Sequence, residues 1–211
     1  MRVIDYYRTF RDFKIHTVLF IGSNDGVELD NLMKLTPSII CVDPLVEKIH
    51  SISFRYPSII VLPVAISSST GVSDFYVANN GGRSSSLSKP TKHLEVFKSI
   101  SFTKKTKVIT IPLRILLNSF ENIDFMLIDA QGSDLEILES GNGDFSNVKV
   151  IIIEALKSDL YGVKTYDSII NFLGGHNFIL IGENQIHSSY SDLIFINGKL
   201  HKNLEIIYQD M

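Results

Sequence analysis

The chain has 211 residues, 45% of them hydrophobic and 20% charged, and its formal net charge is −3 at pH 7. This length suits one domain with a sizeable core, and the small negative charge gives no overall attraction to nucleic acid or anionic membranes. A single cysteine, Cys41, excludes an internal disulfide, and no apolar run reaches the roughly 18 residues of a membrane span, so we predict a cytoplasmic protein.

The elements alternate along the chain. Residues 1–14 mix acids and bases without the apolar centre of a signal peptide, and they predict an N-terminal helix or arm. Helix-compatible segments then separate most of the short apolar runs, which are TVLFIG, SIICVD, SIIVLPVA, FMLIDA, VKVIIIEA, NFILIG and DLIFI. Their nearly continuous apolar character indicates strands buried on both faces of a mostly parallel, seven-stranded sheet. The alternation predicts an α/β fold, and the last two runs predict a closing antiparallel hairpin.

Two local signals qualify this pattern. Ser133 and Glu136, three residues apart at the start of SDLEIL, predict a helix with an N-terminal capping box. Residues 67–107 are instead rich in loop formers, including NNGGRSSSLSKP and FTKKTK, with SDFYVA as one short exposed strand. We interpret this stretch as a basic, lid-like insertion in a single domain that covers residues 1–211.

The run VLFIGSNDG ends a strand at Gly22, turns, and opens a helix near Gly26. Such a turn exposes backbone N–H groups at the carboxyl edge of the sheet, where α/β proteins bind ligands. Asp43 ends the next strand 21 residues after Gly22, at the spacing of an acid that binds a ribose diol. The spacing predicts a nucleoside cofactor. The middle glycine of the dinucleotide fingerprint is Asn24 here, which favours S-adenosylmethionine and leaves an NAD(P)-dependent oxidoreductase as an alternative.

Seven motifs occur in one order: FIGSNDG, CVDP, VAISSSTGVSDFYVA, SSSL, VITIPLRIL, IDFMLIDAQGSDLEILES and VKVIIIEAL. This series resembles the FkbM family of S-adenosylmethionine-dependent methyltransferases over about residues 15–196. The resemblance implies a Rossmann-like class I methyltransferase fold and O-methyl transfer to a hydroxyl of a sugar or glycan. It also implies a cofactor site in which Asp43 holds the ribose. The turn around the methionine part would be Gly22, Ser23, Asn24 and Gly26, and the adenine would lie beside Ala65, Ile66 and Ser67.

The chain departs from the family pattern in three places. The acid that usually opens the first motif is Phe20, and a common lysine two residues before the aspartate of IDAQG is Leu127. The usual Thr-Leu-Asp is Pro112-Leu113-Arg114. These departures keep open a non-enzymatic binding module on a methyltransferase fold.

Two carboxylates end neighbouring predicted strands, Asp129 after FMLI and Glu154 in VKVIIIEA. An alcohol acceptor must lose its proton to a base, and we predict Asp129 as that catalytic base, with Glu154 sharing the role. The alternative is that Asp129 only orients Gln131 or the cofactor and that Glu154 caps a loop. We predict no metal, although two carboxylates could also supply oxygen ligands to a divalent cation. His187, in the hairpin loop, is the one histidine that we place beside the acceptor.

Residues 81–107 carry a net charge of +6, with seven Lys or Arg residues against Glu95. A cationic flap over the crevice would favour an anionic acceptor, such as a phosphorylated or carboxylated glycan. We therefore place Arg83, Ser85 and Ser86 near the acceptor, while a merely solvated loop remains the alternative. Few aromatic side chains accompany these charges, which argues against a nucleic-acid partner.

Overall fold

A computed structural model describes residues 6–199 of the chain, so residues 1–5 of the expected N-terminal helix or arm lie outside it. In chain order the elements are α1 (Tyr6–Phe10), a 3-10 helix (Arg11–Phe13), β1 (Thr17–Ile21), α2 (Leu29–Leu32), β2 (Ile39–Val42), α3 (Val46–Arg55), β3 (Ile60–Leu62), β4 (Ala65–Ile66), β5 (Gly71–Val77), α4 (His93–Val96), β6 (Lys104–Ile111), α5 (Leu113–Ser119), β7 (Ile123–Ile128), α6 (Asp134–Glu139), β8 (Val150–Leu156), α7 (Tyr166–Gly175), β9 (Phe178–His187) and β10 (Tyr190–Asn197). None of these described helices combines the length and apolar character that crossing a membrane requires.

Seven strands form the main sheet in the order β3-β2-β1-β7-β8-β10-β9. The pairings from β3 to β8 are parallel, and β10 runs antiparallel to both β8 and β9. The predicted Rossmann-like α/β fold with a closing antiparallel hairpin is thereby confirmed. The strand order reverses between β1 and β7, and in open α/β sheets this switch point is where a crevice forms at the carboxyl edge.

The central strands are apolar on both faces because both faces are covered. Every residue of β1, β2, β7 and β8 is buried. Alternate residues join two clusters: Leu19 and Met126 pack with α5, α6 and α7, whereas Val18 and Phe125 pack with α2 and α3. Each such side chain contributes about 1.5–3 kcal/mol of transfer free energy. Cys41 is one of these core residues, and burial raises the pKa of its thiol to about 12.

A second, three-stranded sheet with the order β4-β6-β5 takes up the two ends of the stretch expected to be loops. The predicted exposed strand SDFYVA lies largely within β5, which pairs antiparallel with β6. The expectation that FTKKTK is a loop was wrong, because Lys104 begins β6. Phe75 and Val108 anchor this sheet by packing with Leu45 and Ala65. Most of residues 78–103, between β5 and β6, are turns and irregular chain.

The predicted capping box is wrong, although α6 does begin just after Ser133. The Ser133 side chain makes no capping hydrogen bond to the helix. Glu136 Oε1 instead accepts 2.8 Å hydrogen bonds from Ser67 Oγ and from the backbone N–H of Ser68. Two donors just after β4 therefore hold the carboxylate, and this contact joins α6 to the small sheet.

Candidate functional site

An open pocket lies at the carboxyl ends of β1, β2 and β7, between the two sheets. It encloses about 500 Å³, a volume that includes the open space at its mouth, and it lies where open α/β sheets bind their ligands. Of the predicted site residues, eight line it: Gly22, Asn24, Asp43, Ala65, Ile66, Arg83, Ser85 and Asp129. The remaining wall is formed by Gln131 and by apolar residues that include Val42, Val64 and Ile137. Ser23, Gly26, Ser67, Ser86, Glu154 and His187 lie around the pocket without lining it.

The turn after β1 passes unusually close to the end of β7. Gly22 has φ +77°, and a Cβ on it would stand 1.8 Å from the carbonyl oxygen of Asp129. Gly26 has φ +70°, and a Cβ there would meet Leu29 Cδ1 at 2.6 Å. These two positions require glycine, because any side chain would overlap the neighbouring atoms and the left-handed backbone would be strained. Ser23 is buried within the turn and faces away from the open pocket.

Asp43 holds two parts of the pocket wall, the turn at Asn24 and the chain at Leu45, through hydrogen bonds. Its carboxylate accepts 2.9 Å hydrogen bonds from the backbone N–H groups of Asn24 and Leu45. Burial raises its pKa to about 6, while these two donors lower it. Asn24 has φ +42°, and its Oδ1 is buried without a hydrogen-bond partner among residues 6–199. The turn therefore presents an uncommitted acceptor next to a carboxylate.

The opposite end of the pocket is apolar. Ala65 and Ile66 of β4 line it with Val64, Val42 and Ile137. These walls suit a flat apolar group such as a purine ring. Ser67 lies just beyond, and its hydroxyl is committed to Glu136 at 2.8 Å.

Asp129 and Glu154 share one hydrogen-bond donor. Gln131 Nε2 lies 2.7 Å from Asp129 Oδ1, 3.0 Å from Glu154 Oε1 and 3.2 Å from Glu154 Oε2. Burial, followed by the charges of Asp129 and Asp134, raises the pKa of Glu154 well above its usual value. Asp129 opens onto the crevice, yet the surrounding protein displaces much of its water and so raises its pKa.

Two more acids surround this pair. Asp134 is fully buried and accepts hydrogen bonds from the backbone N–H groups of Ala130 (2.7 Å) and Gly132 (2.9 Å). Asp192 of β10 lies opposite Glu154 in the β8–β10 register. Burial raises the pKa of each to about 7. Across the described chain no group of three or more His, Cys, Asp or Glu is arranged to hold a metal ion.

Sequence reasoning gave Gln131 no role of its own and named it only as a residue that Asp129 could orient. It follows β7 in the left-handed region at φ +53°. Ser86 Oγ donates to its backbone carbonyl at 2.7 Å. The Tyr161 hydroxyl lies 3.1 Å from Gln131 Oε1 and 2.9 Å from the carbonyl of Ser84. The motif IDAQG marked this residue, but the spacing alone did not show which groups its amide would join.

An aromatic cluster borders the acids. His187 stacks on Tyr190 at 5.8 Å between ring centroids and contacts Phe97 at 5.1 Å. Burial, then the charges of Glu154 and Asp129, raises the pKa of Tyr190 to about 12, so its hydroxyl lies in their field. The prediction that His187 lies in the hairpin loop was wrong, because His187 is the last residue of β9 and pairs with Tyr190 of β10. It lies in the aromatic border, next to a tyrosine that sequence reasoning did not single out.

The cations of the insertion are partly paired. Arg83 forms a 3.2 Å ion pair with Asp25 at the pocket mouth. Lys105 and Lys107 each lie 2.6 Å from Asp74, and their hydrogen bonds lower its pKa. Three of the seven positive charges therefore have carboxylate partners. Ser85 lines the pocket, where its Oγ accepts the Ala78 N–H at 3.0 Å.

Two departures from the expected motif are neighbours in space. Phe20 of β1 and Leu127 of β7 face each other in the parallel register and belong to the same apolar cluster. Neither lines the pocket, and neither does the exposed Arg114. The acid and the lysine that are usual at positions 20 and 127 would also have faced each other. The apolar contact between Phe20 and Leu127 therefore replaces an ion pair.

Comparison with known proteins agrees with this architecture. A family model described as the Methyltransferase FkbM domain matches residues 21–180. The 2-O-methyltransferase NoeI of Sinorhizobium fredii (strain NBRC 101917 / NGR234) is 25% identical over 157 residues, which are 68% of this chain and 65% of that protein. The chain thus spans a little less than two thirds of that relative.

Among the solved structures, WbdD shows the same fold at low sequence identity. WbdD, in complex with the kinase inhibitor LY294002, has a TM-score of 0.53 at 12% identity, over 92% of this chain and 39% of that one. A putative type 11 methyltransferase from Sulfolobus solfataricus has a TM-score of 0.49 at 12% identity, over 91% and 89% of the two chains.

Proposed function

The chain belongs to the FkbM methyltransferase family, and on that premise we propose that it transfers a methyl group from S-adenosylmethionine to a sugar or glycan hydroxyl. The observation that carries the proposal is the pocket that joins the Gly22 turn to the open carboxylate of Asp129. The name of the relative NoeI, a 2-O-methyltransferase, supports transfer to oxygen.

The residues of the pocket fit the cofactor part by part. S-adenosylmethionine, when bound, would supply an electrophilic methyl group on a sulfonium. Asn24 Oδ1 would accept a hydrogen bond from the ammonium of the methionine part, since it is buried without another partner in residues 6–199. Each oxygen of Asp43 keeps a lone pair beyond its backbone bond, which suits a ribose hydroxyl. Ala65 and Ile66 would pack against the adenine.

Asp129 would take the proton that the acceptor hydroxyl loses. Its Oδ1 is held by Gln131, while Oδ2 has no hydrogen-bond partner in the described part of the chain. The side chain opens onto the pocket beside the Gly22 turn. A base placed in this way typically accelerates such a step by about 10²–10⁴-fold. Glu154 is 4% exposed, so we assign it a supporting role rather than direct contact with the acceptor.

The charges around the acids favour an acceptor that is neutral at its reacting end. The charge of Asp129 already helps to raise the pKa values of Glu154 and Asp192, so a further negative charge there is disfavoured, whereas carboxyl groups readily form hydrogen bonds with hydroxyls. The aromatic border of Tyr190 and His187 would pack against the apolar face of a sugar ring. A negative group elsewhere on a glycan would meet those lysines of the insertion that have no carboxylate partner within residues 6–199.

The binding-module alternative loses its main support, because Phe20 and Arg114 lie outside the pocket. The oxidoreductase alternative predicts binding of a reduced nicotinamide dinucleotide. Calorimetric titration of the purified protein with S-adenosylmethionine, S-adenosylhomocysteine and NADH separates the three functions. We expect micromolar binding of both adenosyl ligands and none of NADH. Binding of NADH alone would overturn the proposal in favour of an oxidoreductase.

A second assay tests the reaction and the acceptor class. Radiolabelled S-adenosylmethionine is incubated with neutral methyl glycosides and, in parallel, with the corresponding glycosides of uronic acids and sugar phosphates. We expect label in the neutral glycosides, as an ether that survives mild alkali. Tight cofactor binding without transfer to any of these sugars would argue for the binding module.

A further inference from the structure

Gln131 is the only described side chain that donates a hydrogen bond to Asp129 or to Glu154. Its Nε2 carries two hydrogens, and the two carboxylates use both of them. This arrangement favours the orientation shown, because the reversed amide would place its oxygen against Asp129 Oδ1 in place of the 2.7 Å hydrogen bond. The hydroxyl of Tyr161 lies 3.1 Å from Oε1, and its shorter contact, at 2.9 Å, is with the carbonyl of Ser84.

The backbone of Gln131 is held as firmly as its side chain. The left-handed φ of +53° costs a non-glycine residue energy, so surrounding contacts must maintain it. Ser86 Oγ supplies one such contact at 2.7 Å. The next residue, Gly132, packs so closely on Tyr161 that a Cβ would come within 2.8 Å of the tyrosine Cβ.

We propose that Gln131 is a positioning residue for the methyl transfer proposed above, holding Asp129 through Oδ1 so that Oδ2 faces the reacting hydroxyl. This inference rests on the proposed function. Asp129 lies on the open side of the pocket and has no other described hydrogen bond, so without Gln131 its carboxylate would be free to rotate. The charge of Asp129 is a cause of the raised pKa values of Glu154, Asp134 and Asp192, so its carboxylate is disfavoured among these acids and would turn towards solvent.

The choice of an amide has a chemical consequence. A lysine or arginine in this place would also hold the carboxylate, but its charge would make Asp129 a weaker base. A neutral donor orients Asp129 and leaves its basicity largely intact. No Lys, Arg or His side chain among the described residues donates a hydrogen bond to Asp129, so no cation replaces the amide.

The first test needs no acceptor. Sinefungin carries an amine in place of the transferable methyl, so its affinity relative to S-adenosylhomocysteine reports whether a carboxylate faces that position. We expect wild type to prefer sinefungin, and Gln131→Met and Asp129→Asn each to lower the preference about tenfold, the loss of one charge-assisted hydrogen bond. Gln185→Met, on the exposed part of β9, should leave it unchanged.

The outcomes distinguish the two proposals. If wild type binds neither ligand, the cofactor assignment fails. If it binds both but Gln131→Met keeps the wild-type ratio while Asp129→Asn loses it, only the role of Gln131 fails. Thermal unfolding of each variant shows whether the fold is retained, and Tyr161→Phe gives a milder perturbation of the same amide if Gln131→Met is unstable.

A pH profile of methyl transfer to the labelled neutral glycosides provides the second test. Glutamate is isosteric with Gln131 but can donate to Asp129 only when protonated. Gln131→Glu should therefore regain activity at acidic pH relative to Gln131→Met, which should stay low throughout. Parallel profiles for the two variants would overturn the positioning role, because a purely structural defect would not depend on protonation of residue 131.

Discussion

Gly22 and Asp129 meet where β1 and β7 end, so closely that a Cβ on Gly22 would stand 1.8 Å from the Asp129 carbonyl oxygen. The backbone N–H of Asp129 also donates to the carbonyl of Ile21 at 3.0 Å. The proposed cofactor turn and the proposed base are thus parts of one backbone contact. A change that separates the two strand ends would disturb both.

Gly22→Ala should disrupt this contact. The added methyl group would overlap the Asp129 carbonyl, and a φ of +77° is strained for alanine. We therefore expect a loss of about 1–3 kcal/mol in the free energy of unfolding. Binding of S-adenosylhomocysteine should fall at the same time. Gly174→Ala is the control, since nothing lies within 4 Å of its added Cβ and alanine favours a helix. Equal effects of the two substitutions on urea denaturation would contradict the steric argument.

Asp43→Ala should weaken cofactor binding at least tenfold, about 1.4 kcal/mol. The change removes the proposed ribose acceptor and also releases the backbone N–H groups of Asn24 and Leu45, which shape the walls. Calorimetry with S-adenosylhomocysteine measures the effect. Asp167→Ala, an exposed acid on α7, serves as the control. Unchanged affinity in Asp43→Ala would show that the ribose lies elsewhere.

Asp129→Asn should lower methyl transfer about 10²–10⁴-fold while S-adenosylhomocysteine still binds. Glu154→Gln should have a smaller effect, because Glu154 is buried behind Gln131. Steady-state rates with the neutral glycosides, alongside calorimetry, separate transfer from binding. If Glu154→Gln were the more damaging change, the two carboxylates would have to exchange roles.

The stability of the ligand-free protein should fall as pH rises from about 4 to about 7. The pKa values of Asp134 and Asp192 are raised from 3.8 to about 7, and that of Asp43 to about 6. Over this interval the folded chain binds more protons than the unfolded chain, which gives the negative slope. Asp192→Asn should add more than about 1 kcal/mol at pH 8 and little at pH 4.

Urea denaturation at the two pH values measures this slope. Asp74→Asn is the control of opposite sign, because hydrogen bonds from Lys105 and Lys107 lower the pKa of Asp74. Its carboxylate contributes stability only at the higher pH. A wild-type stability that rose steadily from pH 4 to pH 8 would show that the acids around Glu154 are not desolvated.

Glu136→Ala should loosen the apolar end of the pocket. The carboxylate loses two 2.8 Å hydrogen bonds, to Ser67 and Ser68, and we expect a cost of about 1–2 kcal/mol. Affinity for S-adenosylhomocysteine should fall several-fold. Glu139→Ala, an exposed neighbour on the same helix, should change neither quantity. A similar loss in both variants would assign the effect to the helix rather than to the contact.

The main sheet could be predicted from sequence because its strands are buried on both faces and so consist of continuous apolar runs. The two glycines of the first turn could also be recognised from the sequence, since their backbone conformation excludes other residues. These signals depend on neighbours that are close along the chain.

The unpredicted features depend on distant partners. Glu136 matched a local capping pattern, but its donors lie 69 and 68 residues away. Lys105 and Lys107 were predicted to lie in a cationic loop, but β5 places Asp74 beside both of them. Gln131 gained its role only when β8 brought Glu154 next to it. Phe20 and Leu127, which counted as separate losses, are one apolar contact.

The small sheet has one further consequence. The chain leaves the main sheet after β3, forms the small sheet, and returns to the main sheet through α5 and β7. Phe75 and Ala65 pack in the small sheet's own cluster, whereas the strands that end at Gly22 and Asp129 belong to the main sheet. The chain thus places the strand-end residues and the small sheet on separate apolar clusters that share one crevice, and Ser86 and Ser67 join the two through Gln131 and Glu136. Loosening the small sheet alone should therefore disturb the crevice through these two hydrogen bonds.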